Sequence, residues 1–122
     1  MSTQIKAILG YNIADGVSVE EYDSWLWDVH YPDLLANPFI DHVELDTVVR
    51  PITTTSAGTE TAKTPVRFDR IAELHFLDHD AYGRYLDWFK DNPIPRERSP
   101  EGRSEFVFYV LTEVKKAERQ PK

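Results

Sequence analysis

The stretch Trp25-Leu-Trp-Asp-Val-His-Tyr-Pro-Asp-Leu-Leu-Ala-Asn-Pro38 joins a predicted helix to a predicted strand, and the rest of the chain is organised around it. Pro32 lacks a backbone N–H and restricts the residue before it, so the helix is predicted to stop or kink at Tyr31. The stretch also carries His30, which ordinarily titrates near neutral pH, among aromatic side chains. Such a combination is typical of a small-molecule site, although a histidine that merely suits the helix dipole is the alternative interpretation.

A strand and a helix precede this stretch. Residues 4–13 alternate between two faces and predict a strand of period two. The sequence Ser18-Val-Glu-Glu21 has the pattern of a capping box, so a helix is predicted to begin at Val19. Trp27 and His30 lie one turn apart on a stripe of this helix. The adjacent core stripe is predicted to consist of Tyr22, Trp25, Leu26 and Val29.

Alternation returns after the second proline of the stretch. Residues 39–49 predict a second strand, and residues 68–76 predict a third. One face of the second strand carries His42. One face of the third strand carries Glu73 and His75, so an acid and a base point the same way.

The C-terminal part adds a helix and a fourth strand. Asp78 is predicted to cap a helix that runs to about Phe89. Residues 105–114 are rich in β-formers and predict a strand that is buried on both sides. Its two alternating faces are Phe106, Phe108 and Val110 on one side and Val107, Tyr109 and Leu111 on the other.

Two segments lack periodicity. Residues 51–66 are rich in threonine and predict an exposed loop, and residues 115–122 are charged and predict a fraying tail. A chain of 122 residues has the size of about one domain, so we expect a single domain over residues 1–122.

The order β-α-β-β-α-β predicts an α+β protein with a ferredoxin-like fold, in which two helices cover one face of an antiparallel sheet. The other face of that sheet is then uncovered although it is partly apolar. Such a surface in a globular protein is typical of an interface. We therefore expect a homodimer in which two sheets face each other.

Composition excludes several classes of function. The formal net charge of −7 argues against binding to nucleic acid, and the chain has no cysteine for disulfides or thiolate metal sites. The N-terminus lacks an apolar leader and no later segment is long enough to cross a membrane, so we expect a cytoplasmic protein without membrane contact.

The residues Glu21, Tyr22, Trp25, His30 and Pro32 resemble the first helix and the His-x-Pro signature of the dimeric α/β-barrel superfamily, particularly the EthD and HapK (REDY-like) families. The resemblance extends through the predicted third strand and second long helix. It implies a dimeric α/β barrel. Relatives in this superfamily include cofactor-free monooxygenases, polyketide cyclases, lactone isomerases and haem-degrading proteins, and HapK-like members are associated with tripyrrole and bis-indole pigment pathways. The fold alone does not choose among these activities.

The candidate chemistry rests on a few polar and aromatic residues. The candidate catalytic residues are His30, Glu73 and His75. The candidate substrate-binding residues are Trp27, Tyr31, His42 and Tyr109. Glu73 beside His75 is an arrangement that orients a general base, and an interface salt bridge is its alternative interpretation. The sequence has no H-E-x-x-H motif, phosphate-binding glycine loop or G-x-S-x-G elbow, so we expect neither a metal nor another cofactor.

The leading hypothesis is a cofactor-independent enzyme of secondary-metabolite biosynthesis that uses general acid/base chemistry on a small aromatic intermediate of bis-indole, pyrrole or polyketide type. Cyclisation, hydration and oxygenation remain open. The alternatives are a non-catalytic carrier of an unstable intermediate and a haem-binding barrel.

Overall fold

A computed structural model describes residues 3–61 and 68–119 of the chain. All the predicted strands and helices are present, with shorter bounds for the second and third predicted strands. The elements in chain order are β1 (Ile5–Ile13), α1 (Val19–Trp25), α2 (Tyr31–Leu35), β2 (His42–Thr47), β3 (Thr53–Thr54), β4 (Glu60–Thr61), β5 (Arg70–Phe76), α3 (His79–Asp91) and β6 (Ser104–Glu113).

Four of the strands form an antiparallel sheet in the order β2-β5-β1-β6. The helices pack against one face of it, here called the helix face, and this arrangement confirms the predicted ferredoxin-like α+β fold. The helix face contributes to the core Ile5, Ala7, Leu9, Tyr11, Ala72, Leu74 and Phe76. The opposite face, here called the open face, carries Lys6, Ile8, His42, Glu44, Ile71, Glu73, His75 and Val110.

The first helix begins where its capping box predicts but continues beyond its predicted end. The Ser18 hydroxyl oxygen accepts a hydrogen bond from the Glu21 N–H at 3.1 Å. After α1, residues Leu26–His30 form a π turn that leads directly into α2. Pro32 then falls in the first turn of α2, where its missing N–H is tolerated. The predicted stop or kink at Tyr31 is therefore replaced by a widened turn, and such turns are frequent at functional sites.

A β-bulge rearranges the faces of β6. Gly10 of β1 pairs with Phe108, whereas the next residue, Tyr11, pairs with Phe106, so Val107 is the extra residue. The bulge places Phe106 on the helix face together with Tyr109. The predicted grouping of Phe106 with Phe108 is wrong because one inserted residue reverses the alternation.

The apolar side chains of β6 are also more exposed than predicted. Tyr109 is 56% exposed on the helix face and Val110 is 47% exposed on the open face. The prediction of burial on both sides is wrong for the single chain, because β6 lies at the edge of the sheet and pairs only with β1. A surface of this kind favours association with a partner.

The predicted loop over residues 51–66 contains a short hairpin. Strands β3 and β4 pair within it, and Arg50 forms a two-pronged ion pair with Glu60 at 2.6 and 3.0 Å. Residues 62–66 of the predicted loop and residues 120–122 of the predicted tail lie outside the described residues. Within the described part of the chain, no helix has both the length and the apolar character needed to span a membrane.

Candidate functional site

A cavity of about 140 Å³ lies between the helices and the helix face of the sheet. Its volume is close to that of an engineered cavity of roughly 150 Å³ that binds benzene, so it has room for about one aromatic ring. Most of the wall is apolar. The wall residues with polar side-chain atoms are Tyr11, Tyr22, His30, Tyr31, Tyr85, Ser104 and Tyr109.

Three buried polar atoms of this wall lack a hydrogen-bond partner. Among the described residues, these atoms are the Tyr11 hydroxyl, the Tyr31 hydroxyl and His30 Nδ1. Buried polar groups are normally bonded, and each one left unsatisfied costs about 1–3 kcal/mol. All three atoms belong to residues that line one apolar cavity.

The imidazole of His30 is held by the π turn against the ring of Trp25. The two rings stack with their centroids 4.7 Å apart and an interplanar angle of 14°. The pKa of His30 is lowered from 6.5 to about 4, mainly by burial; nearby Asp33 opposes the shift, and Arg103 adds to it. The imidazole is therefore neutral at neutral pH and offers a ring nitrogen as a proton acceptor.

The tyrosine hydroxyls of the cavity supply hydrogen-bond donors. Burial is the main cause that raises the pKa of the Tyr11 phenol, and the neighbouring Tyr22 phenol raises it further. Burial likewise raises the pKa of Tyr31. Both phenols therefore stay protonated at neutral pH. The Tyr22 hydroxyl is already engaged, since it lies 2.6 Å from the Ser104 hydroxyl.

A partly buried ion pair fixes α1 to the sheet beside the cavity. The Arg70 guanidinium of β5 donates two hydrogen bonds to the Asp23 carboxylate of α1, the second at 3.2 Å. The same guanidinium lies over the Tyr22 ring, 5.8 Å from its centroid. These contacts hold the tyrosine wall in place.

The structure brings Glu73, His75 and His42 together, but on the open face of the sheet. His75 Nε2 lies 3.2 Å from a carboxylate oxygen of Glu73, and the His42 and His75 rings stack at 4.1 Å. The Lys6 ammonium donates to the same Glu73 oxygen at 2.8 Å and is the main cause of the lowered pKa of Glu73. Because successive residues of β5 point to opposite faces, this cluster is separated from His30 by the sheet.

The tryptophan that contacts His30 is not the predicted one, and neither Trp25 nor Trp27 lines the cavity. Trp27 is 57% exposed, packs edge-on against Tyr31 at 4.9 Å and does not line the cavity. The buried partner of His30 is Trp25, which the helical spacing assigned to the core. The π turn accounts for the change, since it alters the stagger of side chains that a regular helix would give.

Comparison with known proteins gives a fold but no close relative. No family model matches the sequence, and no curated protein matches it. Among solved structures, SnoaB from Streptomyces nogalater, described as a cofactor-independent oxygenase, is 12% identical with a TM-score of 0.59, over 96% of this chain and 98% of that one. An EthD family protein from Bacillus halodurans is 14% identical with a TM-score of 0.60, over 92% and 99% of the two chains. HapK from Hahella chejuensis is 9% identical with a TM-score of 0.57, over 97% and 99%.

This chain has the fold of EthD proteins and HapK. The expected resemblance to these proteins is thereby confirmed for the fold along nearly the whole chain. At 9–14% identity the EthD-like fold carries no residue-level assignment, so the role of each side chain must come from the geometry of this chain.

Sequence reasoning missed the contribution of Tyr11 and Tyr22 to this cavity, because both fall on core stripes. A signal was nevertheless present. Tyrosine carries a hydroxyl that needs a partner when it is buried, so two tyrosines on stripes that face each other indicate a polar lining within the core. Of the predicted site residues, the cavity gathers His30, Tyr31 and Tyr109.

Proposed function

We propose that the protein is a cofactor-independent enzyme that binds a small aromatic molecule in the cavity between its helices and sheet. The observation that carries this proposal is that the three residues with unpaired buried polar atoms, Tyr11, His30 and Tyr31, all line one apolar cavity. The resemblance to the HapK (REDY-like) families favours a substrate from secondary metabolism. The description of SnoaB as a cofactor-independent oxygenase shows that the same fold supports chemistry of this type.

In the proposed mechanism His30 acts as the general base. Its neutral imidazole accepts a proton from an acidic hydroxyl or ring C–H of the substrate, and the imidazolium later returns the proton to the product. The hydroxyls of Tyr11 and Tyr31 donate hydrogen bonds to the substrate oxygen on which negative charge builds. Because its pKa is lowered, the His30 imidazole is a weak base and favours acidic substrates such as phenols and enols. The substrate anion that forms beside the imidazole then raises the pKa of His30 within the complex.

The size of the cavity limits what it holds. About 140 Å³ accommodates the reacting ring of a bis-indole, pyrrole or polyketide intermediate, and the remainder must extend past the half-exposed ring of Tyr109. A haem requires far more space than one aromatic ring. The cavity therefore disfavours the haem-binding alternative.

The second candidate function is a carrier without turnover that uses the same cavity. Hydrogen exchange of resorcinol distinguishes the enzyme from the carrier. Exchange of a ring hydrogen of resorcinol for deuterium in D2O requires the addition of a deuteron to a ring carbon and the removal of a proton from the same carbon. The enzyme should accelerate this exchange roughly 10²–10⁴-fold without any added cofactor, and His30→Gln should abolish the acceleration. His79→Gln, which changes an exposed histidine outside the cavity, should retain it. Binding of resorcinol without exchange would support the carrier.

We also propose that the protein is a cytoplasmic homodimer in which two open faces meet. The half-exposed Val110 and the partly buried Ile8 and Ile71 give the open face its apolar character. Covering the open face leaves the cavity on the other side of the sheet accessible from the helix layer. Each subunit would thus retain its own site.

A further inference from the structure

The open face also gathers metal-binding side chains that are far apart in the sequence. His42 of β2 lies directly opposite His75 of β5, and Glu44 lies directly opposite Glu73 in the same pair of strands. Side chains two residues apart on a strand share a face, so all four project from one patch.

The two distances from Glu44 to the histidine rings fit a bound ion better than they fit hydrogen bonds. One Glu44 carboxylate oxygen lies 3.4 Å from His42 Nε2, and the other lies 3.7 Å from His75 Nε2. These separations exceed the usual range of about 2.7–3.2 Å for N–H···O bonds. Zn–N and Zn–O bonds of about 2.0–2.2 Å at tetrahedral angles place neighbouring ligand atoms roughly 3.3–3.5 Å apart. Ligand atoms of the three residues all lie within 4.8 Å of one another, so the widest separation must shorten when an ion binds.

A second carboxylate orients one of these ligands. Asp41 Oδ2 lies 2.6 Å from His42 Nδ1 and accepts a hydrogen bond from it. This bond orients the ring so that its Nε2 atom points toward Glu44. The Asp41 backbone N–H in turn donates to the His75 carbonyl oxygen at 2.8 Å, which ties the end of β2 to β5. A carboxylate behind a histidine is the usual outer partner of a metal-bound imidazole.

The balance of charge in the patch favours a cation. Carboxylates of Asp41, Glu44 and Glu73 gather there, and the Lys6 ammonium is bonded to Glu73. Two imidazole nitrogens with one carboxylate oxygen are ligands that suit divalent first-row transition ions, and they leave a coordination position for water.

We propose that His42, Glu44 and His75 bind one divalent transition-metal ion of the Zn²⁺ type, with Asp41 as the positioning residue behind His42. The ion links β2 to β5 on the open face. Because the sheet separates it from His30, it takes no part in the chemistry of the cavity.

The test is a titration of the untagged, chelator-treated protein with ZnCl₂ in a calorimeter. We expect one Zn²⁺ per chain, a loss of affinity of more than about tenfold in both His42→Gln and Glu44→Gln, and a loss of about 10–100-fold in Asp41→Asn. In the single chain these side chains are exposed or half-buried, so the variants should fold, which far-UV circular dichroism checks, and sedimentation shows whether the proposed dimer is retained. His79→Gln is the matched control, because its imidazole lies 3.9 Å from Glu113 in a separate histidine–carboxylate pair and should leave binding unchanged.

Co²⁺ provides a second readout that does not depend on heat. A tetrahedral Co²⁺ site gives intense visible absorption, and its paramagnetism should broaden the amide signals of residues 42–44 and 73–75. Absence of Zn²⁺ and Co²⁺ binding would overturn the proposal. Binding that survives both His42→Gln and Glu44→Gln would overturn it as well, because the ion would then lie elsewhere.

Discussion

Acidification should destabilise the protein through His30. The pKa of this group is about 4 in the folded chain and about 6.5 when it is exposed. Between these values the unfolded chain binds more protons than the folded chain. The stability that the neutral buried imidazole confers is therefore fully present above about pH 6.5 and is lost as the pH falls toward about 4.

The expected magnitude follows from the size of the shift. A lowering by about 2.5 pKa units corresponds to at most about 3.5 kcal/mol, since one unit is about 1.4 kcal/mol. Between about pH 7.5 and about pH 5 the His30 contribution to the free energy of unfolding should fall by about 2 kcal/mol. Carboxylates such as Glu73, whose lowered pKa also reduces stability in acid, contribute equally to the wild type and to a His30 variant.

Urea denaturation at the two pH values measures this loss. The wild type should lose about 2 kcal/mol more than His30→Gln, because glutamine does not titrate. His79→Gln is the control and should lose as much as the wild type. Equal losses in the wild type and His30→Gln would refute the inference that His30 is buried and neutral.

Two further predictions concern the sheet. Gly10→Ala should destabilise the fold by roughly 1–3 kcal/mol in thermal or urea unfolding, because the added methyl meets the ring of Phe108. The control is Gly83→Ala, at an open position of α3, which should be neutral or slightly stabilising. Equal effects of the two substitutions would contradict this account of the bulge. Sedimentation at micromolar concentration should give about twice the chain mass of 14.2 kDa. Val110→Lys on the open face should weaken the dimer, whereas Val49→Lys at an 85% exposed position should not, and a stable wild-type monomer would contradict the interface.

The strands and caps could be predicted because their signals are local. Alternation identified the buried face of β1 and β5, and the side chains of Ser18 and Asp78 cap α1 and α3 by the expected hydrogen bonds at 3.1 and 2.8 Å. These features depend on residues within a few positions of one another. Tertiary contacts do not override them.

The π turn and the bulge could not be predicted, because each depends on one extra residue in a regular pattern. In the first, Trp25 replaced Trp27 as the aromatic partner of His30. In the second, Phe106 moved to the helix face. Neither insertion changes composition or hydrophobic periodicity enough to be visible in a single sequence.

The location of the cavity could not be predicted from the sequence either. The parity of β5 shows that Glu73 and His75 point away from the core, but parity does not show on which side of the sheet a cavity forms. The approach of His42 to His75 likewise depends on the register between β2 and β5, which the sequence did not specify. The sequence therefore assigned His30, Glu73 and His75 to one candidate site, although His30 lies on the helix side of the sheet and the other two lie on the open face.

In the proposed function, the cavity on the helix face, and not the open face, receives the aromatic ligand. Titration of methyl-labelled protein with resorcinol, followed by NMR, tests it most directly. We predict saturable shifts of the Leu26 and Leu74 methyl groups and of the His30 ring, with no shift at Ile71 or Val110. Shifts confined to Ile71 and Val110, or no saturable shift at any of these groups, would contradict it.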